Sequence, residues 1–335
     1  MRTGTTSKGT KNATSSTWRR LGGAAGWLVA GSLGSVSGAR LAGLDESSGA
    51  LLMADGLAPL LWVPAVASLA IGIRTRRPVL ASLSAGLAAV HLARALPGLG
   101  LTRTAHAAHA AQGTTGLRLF TANLRYENPD SGPIAAEIRE AKPDLVLLQE
   151  LSPRSGDGIG RSGVLDDYDY SVVRPSNGAF GMGVWSRLPL SDAQVTEVAE
   201  STMILVDVEV GGRPVALCAV HTVAPLGAAR ERWRRQLDWL AQVARRRRPL
   251  IMAGDFNATH WHRRLSRLLS SGLDDAHERA GRGWAATWPR NHAPLPPLML
   301  LDHVLVSPSI GVQAVREGAG SGSDHRPVLV DLLVP

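Results

Sequence analysis

An abrupt change in residue type near Gly116 constrains this 335-residue chain more than any other feature. The residues before it are mostly Ala, Gly, Leu and Ser with few charges. After it, charged residues, Trp, Pro and alternating apolar runs occur at the density of a globular domain. We therefore predict a membrane region at residues 21–96, a linker at 97–116 and a folded domain at 117–335.

The membrane region contains three candidate helices. Residues 21–39 and 56–73 carry no charge and are 19 and 18 residues long, which is near the length a helix needs to cross a bilayer. Residues 78–96 form a third candidate, with His91 and Arg94 near its far end, where Arg can reach the lipid headgroups. We predict three transmembrane helices.

Charges beside these segments predict their orientation. Five Lys and Arg lie within residues 1–20, Arg74–Arg77 joins the second candidate to the third, and the loop between the first two holds Asp45, Glu46 and Asp55. Because short cytoplasmic loops collect Lys and Arg, we expect a cytoplasmic N-terminus and a folded domain outside the cell membrane. Cleavage of the first segment as a signal peptide would leave that orientation unchanged.

The charge of +8 does not belong to the folded domain. The first 116 residues carry 11 Lys and Arg against 3 acidic residues, and the rest of the chain carries 25 of each. A domain that binds DNA nonspecifically usually has a basic surplus of its own, so nucleic acid is the less expected partner. The single cysteine, Cys218, excludes an intramolecular disulfide and a Cys-rich zinc site, and its apolar surroundings predict a small buried strand residue.

Short apolar runs bounded by turn residues recur through the folded domain and predict strands. Helical patterns fall between some of them, at residues 134–141, 227–246 and 261–270. Many strands with few helices favour an α+β fold, a four-layer α/β/β/α sandwich, over a doubly wound parallel sheet. The predicted strands are residues 117–123, 144–151, 170–174, 181–187, 203–210, 213–221, 249–255, 301–307 and 326–334.

Polar residues stand where these strands end, which is where such folds present a site. Oxygen ligands without Cys suit a hard cation, Mg²⁺ or alternatively Mn²⁺, and Glu150 is the first candidate ligand. Singly, each of these residues is ordinary, because strand-end carboxylates often cap turns and a lone strand-end His is often packed. The polar residues at the predicted strand ends are Asn123, Glu150, His221, Asp255, Asn257, Asp302, Asp324 and His325.

Two motifs suggest hydrolysis at phosphorus. In "GDFN", Asp255 and Asn257 project to the same side, so Asp255 can accept a proton from water while Asn257 donates to a phosphoryl oxygen. In "SDHRP", His325 needs a carboxylate to set its tautomer and favour its cationic form, and Asp302 is the candidate partner.

The ordered motifs "TANLR", "LLQEL", "VHTVAP", "GDFNAT", "LDHVLVS" and "SDHRP" closely resemble the endonuclease/exonuclease/phosphatase (DNase I-like) superfamily over essentially all of residues 117–335. This resemblance implies a four-layer sandwich and in-line hydrolysis without a covalent enzyme intermediate. It also implies that Glu150 binds Mg²⁺, helped by Asn123 and Asp324.

The same resemblance implies roles for the remaining site residues. Asp255 would orient the attacking water, and Asp302 would support His325. Contacts to the scissile phosphate would come from Asn257, His221 and His325.

The substrate class is suggested by what accompanies the domain. The basic or aromatic loops by which nuclease branches grip a duplex have no convincing counterpart, and three spans before an outward-facing domain resemble actinobacterial membrane proteins associated with teicoplanin resistance. That resemblance implies a lipid-linked phosphate of the cell-wall pathway as substrate and membrane lipids as partners, with no protein partner inferred. Three tryptophans suit either an apolar approach for a lipid or core packing: Trp261, Trp284 and Trp288.

Two other functions stay open on the sequence alone. A membrane-tethered extracellular nuclease would use the same residues on a different phosphodiester. A noncatalytic envelope protein could use the fold for binding, although such a scaffold has no need of Glu150, Asp255, Asn257, Asp302 and His325 together.

Overall fold

A computed structural model describes residues 8–96, 113–283, 285–291 and 295–335, with side chains from residue 17 onward. The chain divides into two compact units, residues 1–99 and 100–335. The division falls within the predicted linker at 97–116, of which residues 97–112 lie outside the described part of the chain, as do the first seven residues of the predicted cytoplasmic segment at 1–20.

The N-terminal unit is helical. Small residues let its helices approach closely: a Cβ on Gly72 would lie 2.8 Å from the backbone nitrogen of Ala81. Ser68 donates to the Gly26 carbonyl, and its hydroxyl lies 2.8 Å from that of Ser84. The helices are α1 (Lys8–Leu41), α2 (Gly49–Gly56), α3 (Trp62–Arg74) and α4 (Pro78–Ala95).

Three membrane-spanning helices are not confirmed by these elements. Within the described residues only α4 is long and apolar enough to cross a bilayer by itself. The predicted helix at 56–73 is broken: α2 and the segment Ala58–Arg74 qualify only as a pair, bent by 63°. The break coincides with a short 3-10 turn at Ala58–Leu60 that contains Pro59, which has no N–H for a continuing helix.

Arg94 forms an ion pair inside the N-terminal unit. Its guanidinium donates to the buried carboxylate of Asp55 at 3.1 Å, and Arg40 donates to the same group at 3.0 Å. An acid buried among apolar helices needs a cation beside it, which accounts for this pairing; contact of Arg94 with headgroups stays a prediction.

The described part of the second unit contains twelve strands, and each of the nine predicted runs overlaps one of them. The strands are β1 (Thr115–Asn123), β2 (Leu145–Gln149), β3 (Tyr170–Arg174), β4 (Met182–Ser186), β5 (Leu190–Val198), β6 (Ser201–Val210), β7 (Arg213–His221), β8 (Leu250–Asp255), β9 (Asp274–Asp275), β10 (Asp302–Val306), β11 (Gly311–Glu317) and β12 (Val328–Val334). Three of them, β5, β9 and β11, lacked an apolar run and were not predicted.

The three predicted helices of this unit are confirmed as α5, α7 and α8, with ends shifted by up to two residues. Two short helices were not predicted. One of them, α6, is rich in Gly and Ser and is stabilised at its start by a capping box between Ser152 and Ser155. The helices are α5 (Gly132–Ala141), α6 (Pro153–Arg161), α7 (Ala229–Arg246), α8 (Arg263–Leu269) and α9 (Ala276–Arg279).

Two six-stranded sheets pack face to face, with strand orders β11-β12-β1-β2-β4-β3 and β5-β6-β7-β8-β10-β9. Buried side chains from both sheets form one core, among them Leu119, Leu147, Leu217 and Ala253. Helices cover the outside; Ile138 of α5, for example, packs in the cluster on the outer face of the first sheet. The predicted α+β two-sheet sandwich is therefore confirmed.

Each sheet contains one parallel pair, and these pairs position the site. In β1 and β2, Asn123 lies opposite Gln149 at the carboxyl ends, and in β7 and β8, His221 lies opposite Asp255. The antiparallel strand β10 begins beside β8, with Asp302 opposite Asp255. The ends of five strands thereby bring distant residues to one edge of the sandwich.

Candidate active site

On the first sheet, Asn123 and Glu150 lie side by side. The Asn123 amide donates to Glu150 Oε1 at 2.9 Å and to Asp255 Oδ2 at 3.1 Å, so it bridges carboxylates from the two sheets. Glu150 has left-handed backbone geometry (φ +53°) just after β2 and accepts the Tyr126 backbone N–H at 3.0 Å. This turn directs an acidic side chain into the edge of the sandwich.

On the second sheet, the backbone of "GDFN" is shaped by its glycine. Gly254 has φ +140°, and a Cβ there would overlap the Val220 carbonyl oxygen, so only glycine fits between β7 and β8. The next residue, Asp255, is 1% exposed and accepts the Asn257 backbone N–H at 2.8 Å. The strand therefore delivers a buried, oriented carboxylate.

The Asn257 side chain lies where predicted but is already engaged. Its amide nitrogen donates to the Thr222 carbonyl at 2.8 Å and to Asp255 Oδ2 at 3.2 Å. Since an amide has two N–H groups, donation to a phosphoryl oxygen would replace the longer bond, to Asp255.

The predicted pairing of Asp302 with His325 is present in the structure. Asp302 Oδ2 lies 2.8 Å from His325 Nδ1, and His325 Nε2 points toward Asp255 Oδ2 at 3.7 Å. Ser323 holds the "SDHRP" segment against β1: its hydroxyl donates to the Asn123 carbonyl at 2.7 Å and accepts the His325 backbone N–H at 3.1 Å.

His221 completes the cluster between the two sheets. Its Nε2 lies 3.7 Å from Glu150 Oε1 and 3.8 Å from Asp255 Oδ2. The Phe180 ring, which the sequence did not single out, lies 6.1 Å from the His221 ring. Phe180 follows a polar loop and belongs to no motif, so its sequence carries no signal for this position.

Asp324 and the predicted tryptophans differ from the rest of the set in how they are placed. Asp324 lies on the His325 side of the site, where its carboxylate accepts the indole N–H of the half-buried Trp288 at 3.3 Å. Its role as a metal ligand stays a prediction. Trp261 is half-buried, and Trp284 lies outside the described residues, so the predicted apolar approach also stays a prediction.

Burial and neighbouring charges set the protonation of the cluster. Burial raises the pKa of Asp255 to about 6, against the lowering effect of the charge on His325. Burial acts to lower the pKa of His325, but Asp302 and Asp255 outweigh it and raise the pKa to about 10. His325 is thus a cation at neutral pH, suited to an anionic oxygen.

The cluster also has the oxygen ligands that a hard divalent cation requires. Glu150 offers a carboxylate that remains 17% exposed, while Asp302 Oδ1 is buried without a hydrogen-bond partner. Three carboxylates this close together favour a bound cation. Glu150 fits as the principal ligand, whereas Asn123 would have to turn its amide, because its oxygen now accepts the Arg125 backbone N–H.

Comparison with known proteins shows the family and the fold of this chain. The model of the Endonuclease/Exonuclease/phosphatase family matches residues 120–325, and no curated protein matches the chain. Among solved structures, an endonuclease/exonuclease/phosphatase from Beutenbergia cavernae is 22% identical, with a TM-score of 0.52, 66% of this chain covered and 72% of that one.

Two further structures show the same fold. TDP2 from D. rerio, complexed with a single-strand DNA product, is 17% identical with a TM-score of 0.56, covering 65% of this chain and 98% of that one. The 3' phosphatase NExo from Neisseria, bound to a product DNA hairpin, is 17% identical with a TM-score of 0.52, covering 64% and 98%.

Proposed function

The chain belongs to the endonuclease/exonuclease/phosphatase family, and from that membership we propose that it is a membrane-anchored, Mg²⁺-dependent phosphoesterase acting on a lipid-linked phosphate or pyrophosphate outside the cytoplasmic membrane. Membership makes the protein a metal-dependent phosphoric ester hydrolase. The anchoring, the ion, the substrate and the side of the membrane are the proposed parts.

The hydrolytic proposal depends chiefly on one observation. Asp255, from the second sheet, lies within 4 Å of both His221 and His325 and is bridged by Asn123 to Glu150 of the first sheet. Residues from five separate chain segments meeting around one buried acid are typical of a site that positions a reactant.

In this proposal each group has one task in hydrolysis. Asp255 accepts the proton of the attacking water as the water approaches phosphorus, and Asp302 holds His325 cationic with Nε2 directed at the developing charge. His221, at the end of β7 in the second sheet, contacts the phosphate. Mg²⁺, held by Glu150, would supply electrostatic stabilisation of the phosphoryl oxygens.

Features outside the site favour a membrane-confined substrate. Helix α4 is apolar enough to cross a bilayer, and the N-terminal region carries the entire positive excess in short segments that suit the cytoplasmic side. A tether holds the site within reach of a lipid target and raises its effective concentration. The zero net charge of residues 117–335 disfavours a polyanion as the principal substrate.

A substrate panel with the full-length chain in detergent tests this proposal. We expect Mg²⁺-dependent phosphate release from polyprenyl pyrophosphate, abolished by EDTA and reduced at least about 100-fold in Asp255→Asn. Cys218→Ala is the matched control, since that residue is buried in β7 away from the strand end. Absence of release from every lipid phosphate, with robust cleavage of another substrate, would refute the lipid assignment.

Orientation needs its own experiment. Alkaline phosphatase fused after Pro335 should be active and a fluorescent protein fused there should be dark if the C-terminal unit lies outside the cytoplasm. The reverse pattern would contradict the proposed localisation while leaving the hydrolytic chemistry untouched.

A nuclease is the second candidate, favoured by two structural neighbours whose crystals contain product DNA. Plasmid nicking by the full-length chain with Mg²⁺ distinguishes it. Nicking at moderate salt without release from polyprenyl pyrophosphate would make the nuclease the better assignment.

A further inference from the structure

A second cluster of ionisable side chains lies behind the proposed active site. Its central residues are His260, Asp275 and His303, which we call the histidine cluster. His303 directly follows Asp302 in β10, and successive side chains of a strand point to opposite faces, so its ring leaves the catalytic edge. None of these residues has a task in the proposed hydrolysis.

The three side chains converge on one carboxylate oxygen. Asp275 Oδ2 lies 2.5 Å from His303 Nδ1 and 3.2 Å from His260 Nε2, and the three atoms that could bind a metal lie within 4.8 Å of one another. Asp275 and His303 are fully buried, and the His260 side chain is 18% exposed. The cluster is therefore enclosed, with one ring reaching toward solvent.

The remaining ring nitrogens identify the tautomers. His303 Nε2 lies 2.9 Å from the Ala258 carbonyl oxygen, which can only accept, so this nitrogen carries a proton. His260 Nδ1 lies 3.1 Å from Glu278 Oε1, a carboxylate that accepts in the same way. A neutral ring then has its lone pair on the nitrogen facing Asp275, whereas a cationic ring has a proton there.

Two lone pairs directed at a carboxylate oxygen repel one another unless a positive charge lies between them. Histidines that bind metals show this same arrangement, with the outer N–H donated to a carboxylate or a backbone carbonyl. His277 adds to the cluster, because its buried Nδ1 has no hydrogen-bond partner and faces Asp275 Oδ1 at 3.4 Å. A cation between Asp275 Oδ2, His260 Nε2 and His303 Nδ1 would satisfy these three groups.

We propose that His260 Nε2, His303 Nδ1 and the Asp275 carboxylate bind a divalent transition-metal ion of the zinc class. Zinc bonds of about 2.0 Å in tetrahedral geometry separate ligand atoms by about 3.3 Å, which the 3.2 Å between His260 and Asp275 matches. The 2.5 Å between His303 Nδ1 and Asp275 Oδ2 would have to lengthen by about 0.8 Å. Two imidazole nitrogens favour zinc over Mg²⁺, which prefers oxygen.

The position of this site suggests what the metal does. His260 lies in the loop that begins directly after Asp255, and His303 and Asp275 belong to the paired strands β10 and β9. A metal joining them fixes the loop that carries Asn257 to the strand that carries Asp302. Its role is structural support of the catalytic edge, with a fourth coordination position left for water.

The test uses the full-length chain, stripped of metal with a chelator and titrated with Co²⁺ in the presence of excess Mg²⁺, which occupies the oxygen-rich catalytic site. We expect visible absorption bands of low-coordinate Co²⁺ that saturate at one equivalent and are abolished by Zn²⁺. In His260→Gln and in His303→Gln, affinity should fall by about 100-fold or more.

Two controls make the outcome decisive. Glu150→Gln should lose hydrolysis yet keep the cobalt bands, so failure of the proposed activity and failure of this inference are distinguishable. If His303→Gln does not fold, the partly exposed His260→Gln still reports, because Zn²⁺ should raise the melting temperature of wild type and not of that variant. Absent bands, or bands and melting shifts unaltered by His260→Gln, would show that a proton and not a metal lies between these groups.

Discussion

Two His–Asp pairs meet back to back on strand β10, and they are built for different purposes. Asp302 pairs with His325 at 2.8 Å, while the next residue, His303, pairs with Asp275 at 2.5 Å. Both pairs join a ring Nδ1 to a buried carboxylate. Local pairing therefore does not distinguish a reactive group from a structural one.

The distinction lies in the second nitrogen of each ring. His325 Nε2 points toward Asp255 at 3.7 Å, close enough to act on the same reactant and too far for a hydrogen bond, so it remains available to substrate. His303 Nε2 is committed to the Ala258 carbonyl at 2.9 Å. A ring with an uncommitted nitrogen facing the active site can act on a substrate, whereas a buried ring with Nε2 bonded to the backbone and Nδ1 inside the histidine cluster can only hold the structure.

Replacement of either Asp255 or His325 should have the largest effect. We expect Asp255→Asn and His325→Ala each to lower turnover by at least about 100-fold, because one loses the base and the other the cation facing the developing charge. Steady-state kinetics on the cleaved substrate measure this. Circular dichroism should show both variants folded; retained turnover in a folded variant would contradict the role of that residue.

Asp302 and Asp275, the carboxylate partners of the two histidines, give a matched pair of variants that tests the distinction between the two clusters. Asp302→Asn should lower turnover by about 10- to 100-fold, because His325 loses its orienting partner and its charge. Asp275→Asn should lower turnover less, by about threefold, because only the support of the catalytic edge is lost, yet lower the unfolding free energy by about 3 kcal/mol, since it leaves buried histidines without their counter-charge.

Turnover and thermal melting of both variants, measured under the same conditions, decide this pair. Equal losses of turnover would contradict the division of the two clusters into a reactive and a structural one. Chelator-treated Asp275→Asn should also melt at the same temperature with and without Zn²⁺.

Much of this arrangement was predictable, and the exceptions have physical causes. Nine strands could be predicted because apolar runs mark buried β-structure, and the site residues because they follow those runs. The edge strand β5, "LSDAQVTEV", is mostly solvent-exposed and carries no such run. The break at Pro59 was missed because the prediction weighed only the length and apolar character of residues 56–73, although a proline inside an apolar helix is itself a signal for a break.

The histidine cluster was missed for a different reason. Its members lie far apart in sequence and follow no fixed spacing, and the segment "LDHVLVS" had already been assigned a function through Asp302. Only the alternation of side chains along β10, together with the short strand β9 beside it, shows that His303 has partners of its own. Sheet neighbours beyond the predicted strands supplied this information.

Gly254 links both clusters through the backbone of β8, and replacing it should have an intermediate effect. In Gly254→Ala the new Cβ would overlap the Val220 carbonyl at φ +140°, so β8 must shift away from β7 and take Asp255 with it. We expect a loss of about 1–3 kcal/mol in the unfolding free energy and about 10-fold or more in turnover. A variant with wild-type melting and kinetics would show that the strand end tolerates displacement.

The smallest effect is expected at Cys218, which lies on β7 three residues before His221 and is fully buried. Burial raises the pKa of its thiol to about 12, so at pH 7 to 9 the reactive thiolate is essentially absent. Native protein should therefore resist a thiol-modifying reagent until it unfolds, as followed by mass spectrometry. Because the metal proposed for the histidine cluster has nitrogen and oxygen ligands only, treatment of the folded protein with this reagent should leave the cobalt bands unchanged. Loss of those bands on modification of Cys218 would mean that the thiol helps to hold the metal, and the separation between a reactive edge and a closed structural cluster would have to be redrawn.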